Sequence, residues 1–350
     1  MDNDNIFTLF CKYVDETIFS DEKKGEVVAF IVDQTYINDF RKIYQVEDLE
    51  VLFVDGMSND RTRAIVGEYA SRYPFIHLLD NPQRIVPPAL NIAIRASKGD
   101  IIMRLDAHAK YPDNYFSVLV QKLADLEADN VGGVCRTLPV NDTPVCRAIA
   151  TALSSPFGMG NSYFRIGADK EMSVDTVPFG CFRRDIFDRI GFFDEELIRN
   201  QDDEFNGRII KNGGKIFLIP SIVIDYFARD TIGKVSKMFY QYGLFKPLVN
   251  QKLGKPATLR QFFPLCFVLG LILGFLLCFV HPVFRYLYIA VLALYLLMAL
   301  YFSCKSEKNI RTILLLICTY ITIHVSYGWG YLRGLVKLLL KKDFVAKVNR

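Results

Sequence analysis

Three long apolar segments near the carboxyl end constrain the fold of this chain most strongly. They cover residues 262–280, 286–302 and 313–331, and roughly 20 consecutive apolar residues are enough to cross the hydrocarbon core of a membrane. The link at 281–285 is very short, so the first two segments are expected to form a helical hairpin. The third segment is the weakest, because it contains His324 together with glycine and hydroxyl residues. The sequence therefore predicts two or three transmembrane helices.

Basic residues around these segments give conflicting indications of orientation. Lys305, Lys308 and Arg311 lie between the second and third segments, and lysine and arginine favour the cytoplasmic side of a membrane. The tail beyond residue 331 is also basic, although three crossings would place it on the opposite side. Two explanations remain open: the third segment re-enters the membrane, or the tail lies on its surface as an amphipathic helix.

The composition of the whole chain excludes several classes of protein. The formal net charge is +4, and the absence of a basic stripe with interleaved aromatic residues argues against nucleic-acid binding. The eight cysteines form no C-x-x-C pair, so we expect reduced, packed thiols rather than disulfides or a zinc site. The mixture of charged and apolar runs gives way to apolar sequence near residue 255. We therefore predict an atypical N-terminal segment at 1–48, a globular domain at 49–255, and a membrane domain with a basic tail at 256–350.

The globular domain has the alternating pattern of an α/β fold. Apolar runs at 26–32, 49–54, 75–80 and 101–106 predict buried strands, and helical periodicity at 60–73 and 87–99 separates three of them. This βαβ rhythm predicts an open, mostly parallel sheet. Ligands of such sheets bind outside the carboxyl ends of the strands. Asp55 and Asp106 stand at two of those ends, which makes them candidate ligand contacts.

Four stretches then resemble the family 2 glycosyltransferases, which have the Rossmann-like GT-A fold. They read VDGMSNDRT at 54–62, PPALNIAIRASKGDII at 87–102, LDAHAKYP at 105–112, and a long match at 177–214. The combination looks closest to the succinoglycan or exopolysaccharide glucosyltransferase group. This resemblance implies a membrane-bound inverting enzyme at the cytoplasmic face of the plasma membrane. It also implies a nucleotide-sugar donor, namely a UDP-sugar, and a lipid-linked saccharide acceptor.

The resemblance assigns a metal site and three further contacts to the donor. The family's D-x-D motif, which holds a divalent metal, appears as Asp106-Ala107-His108; histidine suits Mn²⁺, whereas carboxylate suits Mg²⁺ better. Asp55 is expected to contact the uracil or ribose. Arg84 and Asn91 flank a Pro-Pro turn, and Arg84 is either a bidentate ligand of the diphosphate or a solvated loop arginine.

The resemblance also assigns a base and an acceptor region. Asp202 aligns with the catalytic carboxylate of the family, and the adjacent Asp203 is its rival. Acidic residues at a helix start also favour the helix dipole, so a purely structural role is the alternative. Gly180 is expected either to allow close approach of the acceptor or to form a tight turn. Gln241 lies either in the floor over the diphosphate or on an amphipathic interface helix.

The N-terminal region departs from the family pattern. Family members begin with a buried strand followed by P-x-Y-N-E, which is not found here. Residues 26–40 could be that strand with an altered turn, or DQTY at 33–36 could match the segment before the second strand. Two other functions therefore stay open: a polyprenyl-phosphate sugar synthase, and a catalytically inactive membrane scaffold of a glycosyltransferase complex.

Overall fold

A computed structural model describes residues 28–32, 49–106, 109–256 and 258–344. These residues form two compact units. The sheet unit contains the described residues up to Cys135 together with Gly167–Tyr226. The helical unit contains Arg136–Ile166 and the described residues from Phe227 onwards. The predicted domain boundaries at residues 48 and 255 follow the composition of the chain and stay predictions.

The strands form one sheet, in the order β3-β2-β1-β4-β8-β6-β9-β5, with β7 paired to β9. Strands β6 and β9 continue past the boundary of the sheet unit. The strands are β1 (Val28–Val32), β2 (Leu49–Asp55), β3 (Ile76–Asp80), β4 (Ile101–Leu105), β5 (Ala109–Lys110), β6 (Asn130–Leu138), β7 (Met172–Ser173), β8 (Cys181–Arg183) and β9 (Ile216–Phe227).

Helices lie in both units. In chain order they are α1 (Thr62–Arg72), α2 (Val86–Ala96), α3 (Tyr115–Asp125), α4 (Pro144–Leu153), α5 (Pro156–Met159), α6 (Tyr163–Ile166), α7 (Asp185–Ile190), α8 (Gln201–Lys211), α9 (Ile232–Leu253), α10 (Phe262–Leu277), α11 (Pro282–Ser306) and α12 (Ile310–Leu339). Pro87 and Pro88 lie in the first turn of α2, and the helix ends at Ala96, three residues before the end of the predicted segment at 87–99.

The α/β class is confirmed, but the sheet is mixed rather than mostly parallel. Strands β2 and β3 are parallel, whereas β1 is antiparallel to both β2 and β4. Strand β8 is likewise antiparallel to β4 and β6. The sequence missed this because an apolar run marks a strand but does not state in which direction its backbone pairs.

The direction of β1 determines which end of it lies near the predicted ligand edge. Val28 pairs with Phe53 and Leu105, near the carboxyl ends of β2 and β4. Val32 pairs with Leu49 and Ile101, at their beginnings. Val32, the last residue of β1, therefore lies at the edge of the sheet opposite Asp55. The predicted N-terminal segment otherwise lies outside the described residues.

Close backbone contacts hold the helical unit together. A Cβ atom on Gly243 of α9 would lie 2.1 Å from the carbonyl oxygen of Tyr327 on α12. A Cβ on Gly330 of α12 would lie 2.2 Å from the carbonyl oxygen of Tyr240. Glycine is needed at both positions because any side chain would separate the two backbones.

Three helices in the helical unit are long and apolar enough to cross a membrane: Leu259–Leu277, Pro282–Ser306 and Ile310–Leu339. Few residues of the first two are buried, which fits helices that face lipid. The third is more buried within its unit. The His324 side chain meets Tyr295 Oη at 2.8 Å and the carbonyl oxygen of Phe157 at 2.9 Å, so the polar residue that weakens the third segment has partners for both ring nitrogens.

Candidate active site

Three aspartates lie at one edge of the sheet. Asp55 ends β2, Asp80 ends β3, and Asp106 directly follows β4. Asp55 and Asp80 are paired neighbours in the parallel ladder. Strands β2 and β4 run in the same direction, because both are antiparallel to β1. Their carboxyl ends therefore share the edge at which ligands of α/β sheets bind.

Asp55 is buried, with 4% of its surface exposed. Its Oδ2 accepts hydrogen bonds from the Ser58 backbone at 2.9 Å and from Arg63 Nη1 at 2.8 Å. Burial raises the pKa of Asp55, but the bonds from Ser58 and Arg63 outweigh this and hold the pKa below its ordinary value. Among the described residues, none donates to the buried Oδ1. An ionised carboxylate with a free buried oxygen is suited to accept an N–H or O–H from a ligand.

Arg63 connects two of the edge carboxylates, and it is not among the residues predicted from the sequence. It lies near the start of α1 and donates to Asp55 Oδ2 and, at 2.7 Å, to Asp80 Oδ1. Its side chain is 34% exposed. An arginine in the first turn of the helix that follows a strand-end aspartate is the signal that could have found this contact.

A second arginine, Arg104, connects the predicted metal ligand Asp106 with the predicted base Asp202. Arg104 lies in β4 and donates from Nε to Asp106 Oδ1 at 2.8 Å and from Nη2 to Asp106 Oδ2 at 3.0 Å. Its Nη1 donates to Asp202 Oδ1 at 2.5 Å. Burial lowers the pKa of Arg104, but the Asp106 and Asp202 carboxylates outweigh it and raise the pKa above its ordinary range. Arg104 therefore binds both Asp106, which is predicted at the donor diphosphate, and Asp202, which is predicted as the base.

Asp202 lies in the first turn of α8, with 39% of its side chain exposed. Burial raises its pKa, the charge of Arg104 opposes this, and the charges of Asp106 and Asp203 raise it further. The pKa is therefore above the ordinary value of 3.8. A carboxylate that is partly accessible and more basic than usual is suited to accept a proton.

Several residues near the predicted site residues have a left-handed backbone conformation. Four non-glycine residues with positive φ lie at such positions: Met57 (59°), Arg84 (59°), Phe179 (48°) and Asn200 (62°). Each of them is a predicted site residue or lies within two residues of one. Such conformations are uncommon outside glycine and tend to occur where a site fixes the backbone.

Arg84 lies beside the loop that follows Asp55. A Cβ atom on Gly56 would be 3.7 Å from the Arg84 Cα, so the loops after β2 and β3 touch. The Arg84 side chain is exposed. Its guanidinium therefore remains accessible at the ligand edge.

Asn91 holds a loop in place. Its amide nitrogen donates to the carbonyl oxygen of Phe193 at 2.9 Å and to Glu195 Oε1 at 2.8 Å, and its oxygen accepts from the Phe193 backbone at 3.0 Å. Only 1% of its surface is exposed. Gln83, next to Arg84, also donates to Glu195 at 3.3 Å. The geometry gives Asn91 a positioning role, and its contact with the donor stays a prediction.

Comparison with known proteins decides the family. The model of glycosyl transferase family 2 matches residues 27–191. The succinoglycan biosynthesis protein ExoA of Rhizobium meliloti is 31% identical over 233 residues, which cover 66% of this chain and 69% of that protein. The chain belongs to glycosyltransferase family 2.

A second relative and a solved structure are also similar. The dolichyl N-acetyl-alpha-D-glucosaminyl phosphate 3-beta-D-2,3-diacetamido-2,3-dideoxy-beta-D-glucuronosyltransferase of Methanococcus voltae is 30% identical over 225 residues, covering 61% of this chain and 68% of its own length. The crystal structure of GalNAc-T7 with UDP, GalNAc and Mn²⁺ aligns with a TM-score of 0.42 and 15% identity, over 58% of this chain and 41% of that one. The chain is thus a glycosyltransferase enzyme, and the GT-A class implied by its sequence is confirmed by its family.

The metal ligands implied for this glycosyltransferase are only partly visible. His108 lies outside the described residues. Within the described ranges, no group of three acidic, histidine or cysteine side chains could hold a metal. Arg104 holds both oxygens of Asp106. Asp106 therefore fits a metal ligand that is oriented by Arg104, in the way that outer partners orient ligating carboxylates.

The two residues predicted to meet the acceptor lie in different units. Gln241 lies on α9 in the helical unit and is 6% exposed. Gly180 lies in the sheet unit, where its carbonyl oxygen accepts from the Arg104 backbone at 3.0 Å. Contact of either residue with an acceptor stays a prediction.

We expect Gly180→Ala to destabilise the glycosyltransferase. An added Cβ would lie 2.4 Å from Asn130 Oδ1 and 2.4 Å from the Phe182 ring, and overpacking a core typically costs about 1–3 kcal/mol. Thermal unfolding of the full chain in detergent would measure the loss. The matched control is Gly67→Ala in α1, where an added Cβ meets nothing within 4 Å, and which should leave Tm unchanged or raise it. Equal Tm values for Gly180→Ala and wild type would contradict the packing argument.

Proposed function

We propose that this enzyme is an inverting glycosyltransferase of the plasma membrane that transfers a sugar from a UDP-sugar to a lipid-linked saccharide in exopolysaccharide synthesis. The names of the relatives support this: one belongs to succinoglycan biosynthesis and the other acts on a dolichyl-linked saccharide. The apolar helices support membrane attachment. A catalytic domain on the cytoplasmic face would meet soluble nucleotide-sugars there, and the basic link at 305–311 favours that side.

The observation that carries the proposal is the shared guanidinium of Arg104. It holds Asp106, the candidate contact of the diphosphate, and Asp202, the candidate base, on one side chain. An inverting transfer needs a carboxylate that takes the proton of the acceptor hydroxyl while its oxygen attacks C1 opposite the leaving diphosphate. Asp202 is our candidate for this step and Asp203 is the rival.

The donor would be recognised at the sheet edge. The free Oδ1 of Asp55 would accept a hydrogen bond from the uracil or ribose. The exposed Arg84 guanidinium would bind the diphosphate, for which its planar set of donors is suited. Asp106 and His108 would hold a divalent metal, Mn²⁺ or Mg²⁺, which supplies charge stabilisation for the leaving diphosphate when bound.

Calorimetry of UDP binding to the purified full chain tests the donor site. We expect binding in the presence of Mn²⁺, weaker binding with a chelator, and loss of at least about tenfold in affinity in Asp106→Ala. The Tm of the variant should be recorded, since Arg104 loses a partner. A folded wild-type enzyme that binds neither UDP nor another nucleoside diphosphate would overturn the proposal.

The raised pKa of Asp202 predicts a pH dependence of transfer. The base acts when it is ionised, so kcat/KM should fall as the pH drops through a pKa that lies above the ordinary value of 3.8. The negative charge of Asp203 contributes to the raised value. Asp203→Asn should therefore move the acid limb of the profile to lower pH. Asp188→Asn, which removes an exposed acid on α7, is the control for net charge, and an equal displacement in both variants would argue against a local effect.

A further inference from the structure

The helical unit contains a cavity of about 500 Å³ that the proposed transfer chemistry does not use. Residues of α4 line one side and the last residues of α11 line the other, with Thr137 and Pro139 between them. The volume lies in the range of small-molecule sites, which is about 300–1,000 Å³. The cavity is therefore large enough for a lipid headgroup.

Two cations lie at this cavity, and both can bind a further anion. Arg147 donates from Nε and Nη2 to one oxygen of Asp142. Three of its five N–H groups remain to bind another anion. The Asp142 side chain is 84% exposed, and exchanging so exposed a partner costs little. Within the part of the chain that the structure describes, no ion pair or hydrogen bond engages the Lys305 ammonium.

A buried hydroxyl in the wall of the cavity has no partner. Thr137 is 8% exposed, and among the described residues nothing bonds to its Oγ1. Thr151, Ser154, Ser155 and Ser306 add further hydroxyls to the lining. An unpaired buried hydroxyl is costly, so it indicates a missing hydrogen-bond partner in the cavity.

The place of the cavity along α11 indicates where its ligand comes from. Lys305 and Ser306 are the last two residues of this helix, whose preceding residues are apolar and exposed. A membrane-spanning helix ends near the lipid headgroups, and lysine near its end reaches toward them. Phosphate is the anionic group found at that depth. One lining residue opposes an anion: Glu307, which accepts a hydrogen bond from Thr151 Oγ1 at 3.0 Å.

From these observations we propose that the cavity binds the phosphate group of a membrane lipid. Arg147 and Lys305 neutralise the phosphate, and Thr137 donates to one of its oxygens. Two sources share this chemistry, an anionic phospholipid and a polyprenyl phosphate. The site does not depend on the proposed transfer reaction, because it is defined by binding alone.

Lipid titrations of the full chain in an uncharged detergent test the site. The probes are phosphatidylglycerol, a polyprenyl phosphate, inorganic phosphate, and two lipids without phosphate, diacylglycerol and polyprenol. We expect phosphatidylglycerol, the polyprenyl phosphate, or both to raise Tm saturably, as a ligand of the folded state does. Whichever of these two lipids binds more tightly identifies the source of the phosphate. The lipids without phosphate should have no effect. Inorganic phosphate that binds as tightly as the lipids would overturn the lipid assignment.

Variants locate the binding in the cavity. Lys305→Gln and Arg147→Gln should each weaken it roughly five- to tenfold, since each removes a charge-assisted contact. Lys308→Gln is the matched control, because Lys308 is exposed three residues further on and does not line the cavity; it should stay within about twofold. Equal losses in Lys305→Gln and Lys308→Gln would mean general attraction to anionic lipid and would overturn the proposal.

Two further variants should change binding in ways that a merely structural role would not. Glu307→Gln keeps an oxygen for Thr151 but removes the opposing charge, so it should tighten binding by about threefold. Thr137→Val should raise the Tm of the lipid-free protein, because it removes an unpaired hydroxyl, yet weaken binding. Weaker binding in Glu307→Gln, or unchanged binding in Thr137→Val, would count against the assigned contacts.

Discussion

Replacing Asp202 with asparagine should lower kcat for sugar transfer at least ~100-fold while UDP binding stays within about twofold. General base catalysis contributes about 10²–10⁴ to the rate, and an amide cannot take the acceptor proton at neutral pH. The amide oxygen can still accept from Arg104 Nη1, which lies 2.5 Å from the carboxylate. Local structure should therefore survive the substitution. The assay uses a UDP-sugar that the enzyme binds and native membranes as the source of acceptor. The rate of UDP release gives kcat, and calorimetry measures UDP binding.

Asp203→Asn is the matched control for this experiment. It removes the same charge one residue further along α8, whereas Asp202 is the residue that shares Arg104 with Asp106. If Asp203→Asn abolishes transfer and Asp202→Asn does not, Asp203 is the base. If neither changes the rate, the acceptor is already ionised, as a polyprenyl phosphate would be, and no base is needed. That outcome would favour the polyprenyl-phosphate sugar synthase.

Local sequence signals located the first strands and helices of the sheet unit. The predicted strands at 49–54, 75–80 and 101–106 correspond to β2, β3 and β4, because apolar runs bounded by polar residues reflect burial within one strand. The same signals placed Asp55 and Asp106 at strand ends. The direction of β1 could not be read in this way, since pairing direction depends on strands that are distant in the sequence.

The two arginine contacts show what local signals omit. Arg104 and Asp202 are separated by 98 residues, and Arg63 and Asp80 by 17. Neither pair has a spacing that a helix or a hairpin would impose. Arg104 could have been noticed as a charge within an otherwise apolar strand, because a buried charge needs a partner. The identity of that partner requires the fold.

The membrane helices show the same limit. The third apolar segment looked weak because of His324. Its partner atoms belong to Tyr295 and Phe157, the latter 167 residues away. A hydropathy profile counts the histidine as a cost, whereas the fold satisfies its hydrogen bonds. The helix then extends from Ile310 to Leu339, well beyond the predicted segment.

The second large effect is expected from Arg104→Gln, which should destabilise the sheet unit by about 2–4 kcal/mol. Removing one partner of a buried ion pair typically costs about 3–5 kcal/mol; we reduce this because 39% of the Asp202 side chain is exposed. The variant leaves Asp106 and Asp202 close together without the cation that holds them. Thermal unfolding of the full chain in detergent should show a loss of several degrees, and transfer should be lost as well, since donor contact and base are no longer held together.

The matched control is Arg63→Gln, which breaks the other arginine bridge. Arg63 is 34% exposed, and its partners are the exposed Asp80 and the buried Asp55, whereas the Arg104 side chain is only 9% exposed. Water replaces the contact with Asp80, and Asp55 keeps its hydrogen bond from the Ser58 backbone, so the loss of Arg63 should cost about 1–2 kcal/mol, less than the loss of Arg104. Equal effects of the two substitutions would contradict the argument from burial.

A pH series separates charge repulsion from loss of packing in Arg104→Gln. Without the guanidinium, the two carboxylates raise each other's pKa above the unfolded value, so their repulsion is present at neutral pH and is relieved as the pH falls and one of them binds a proton. The Tm difference from wild type should therefore shrink toward acid pH. Adding Asp106→Asn to Arg104→Gln should recover part of the loss at neutral pH for the same reason. A difference that is constant with pH, and no recovery in the double variant, would mean that Arg104 acts through packing and not as the cation that joins the two carboxylates.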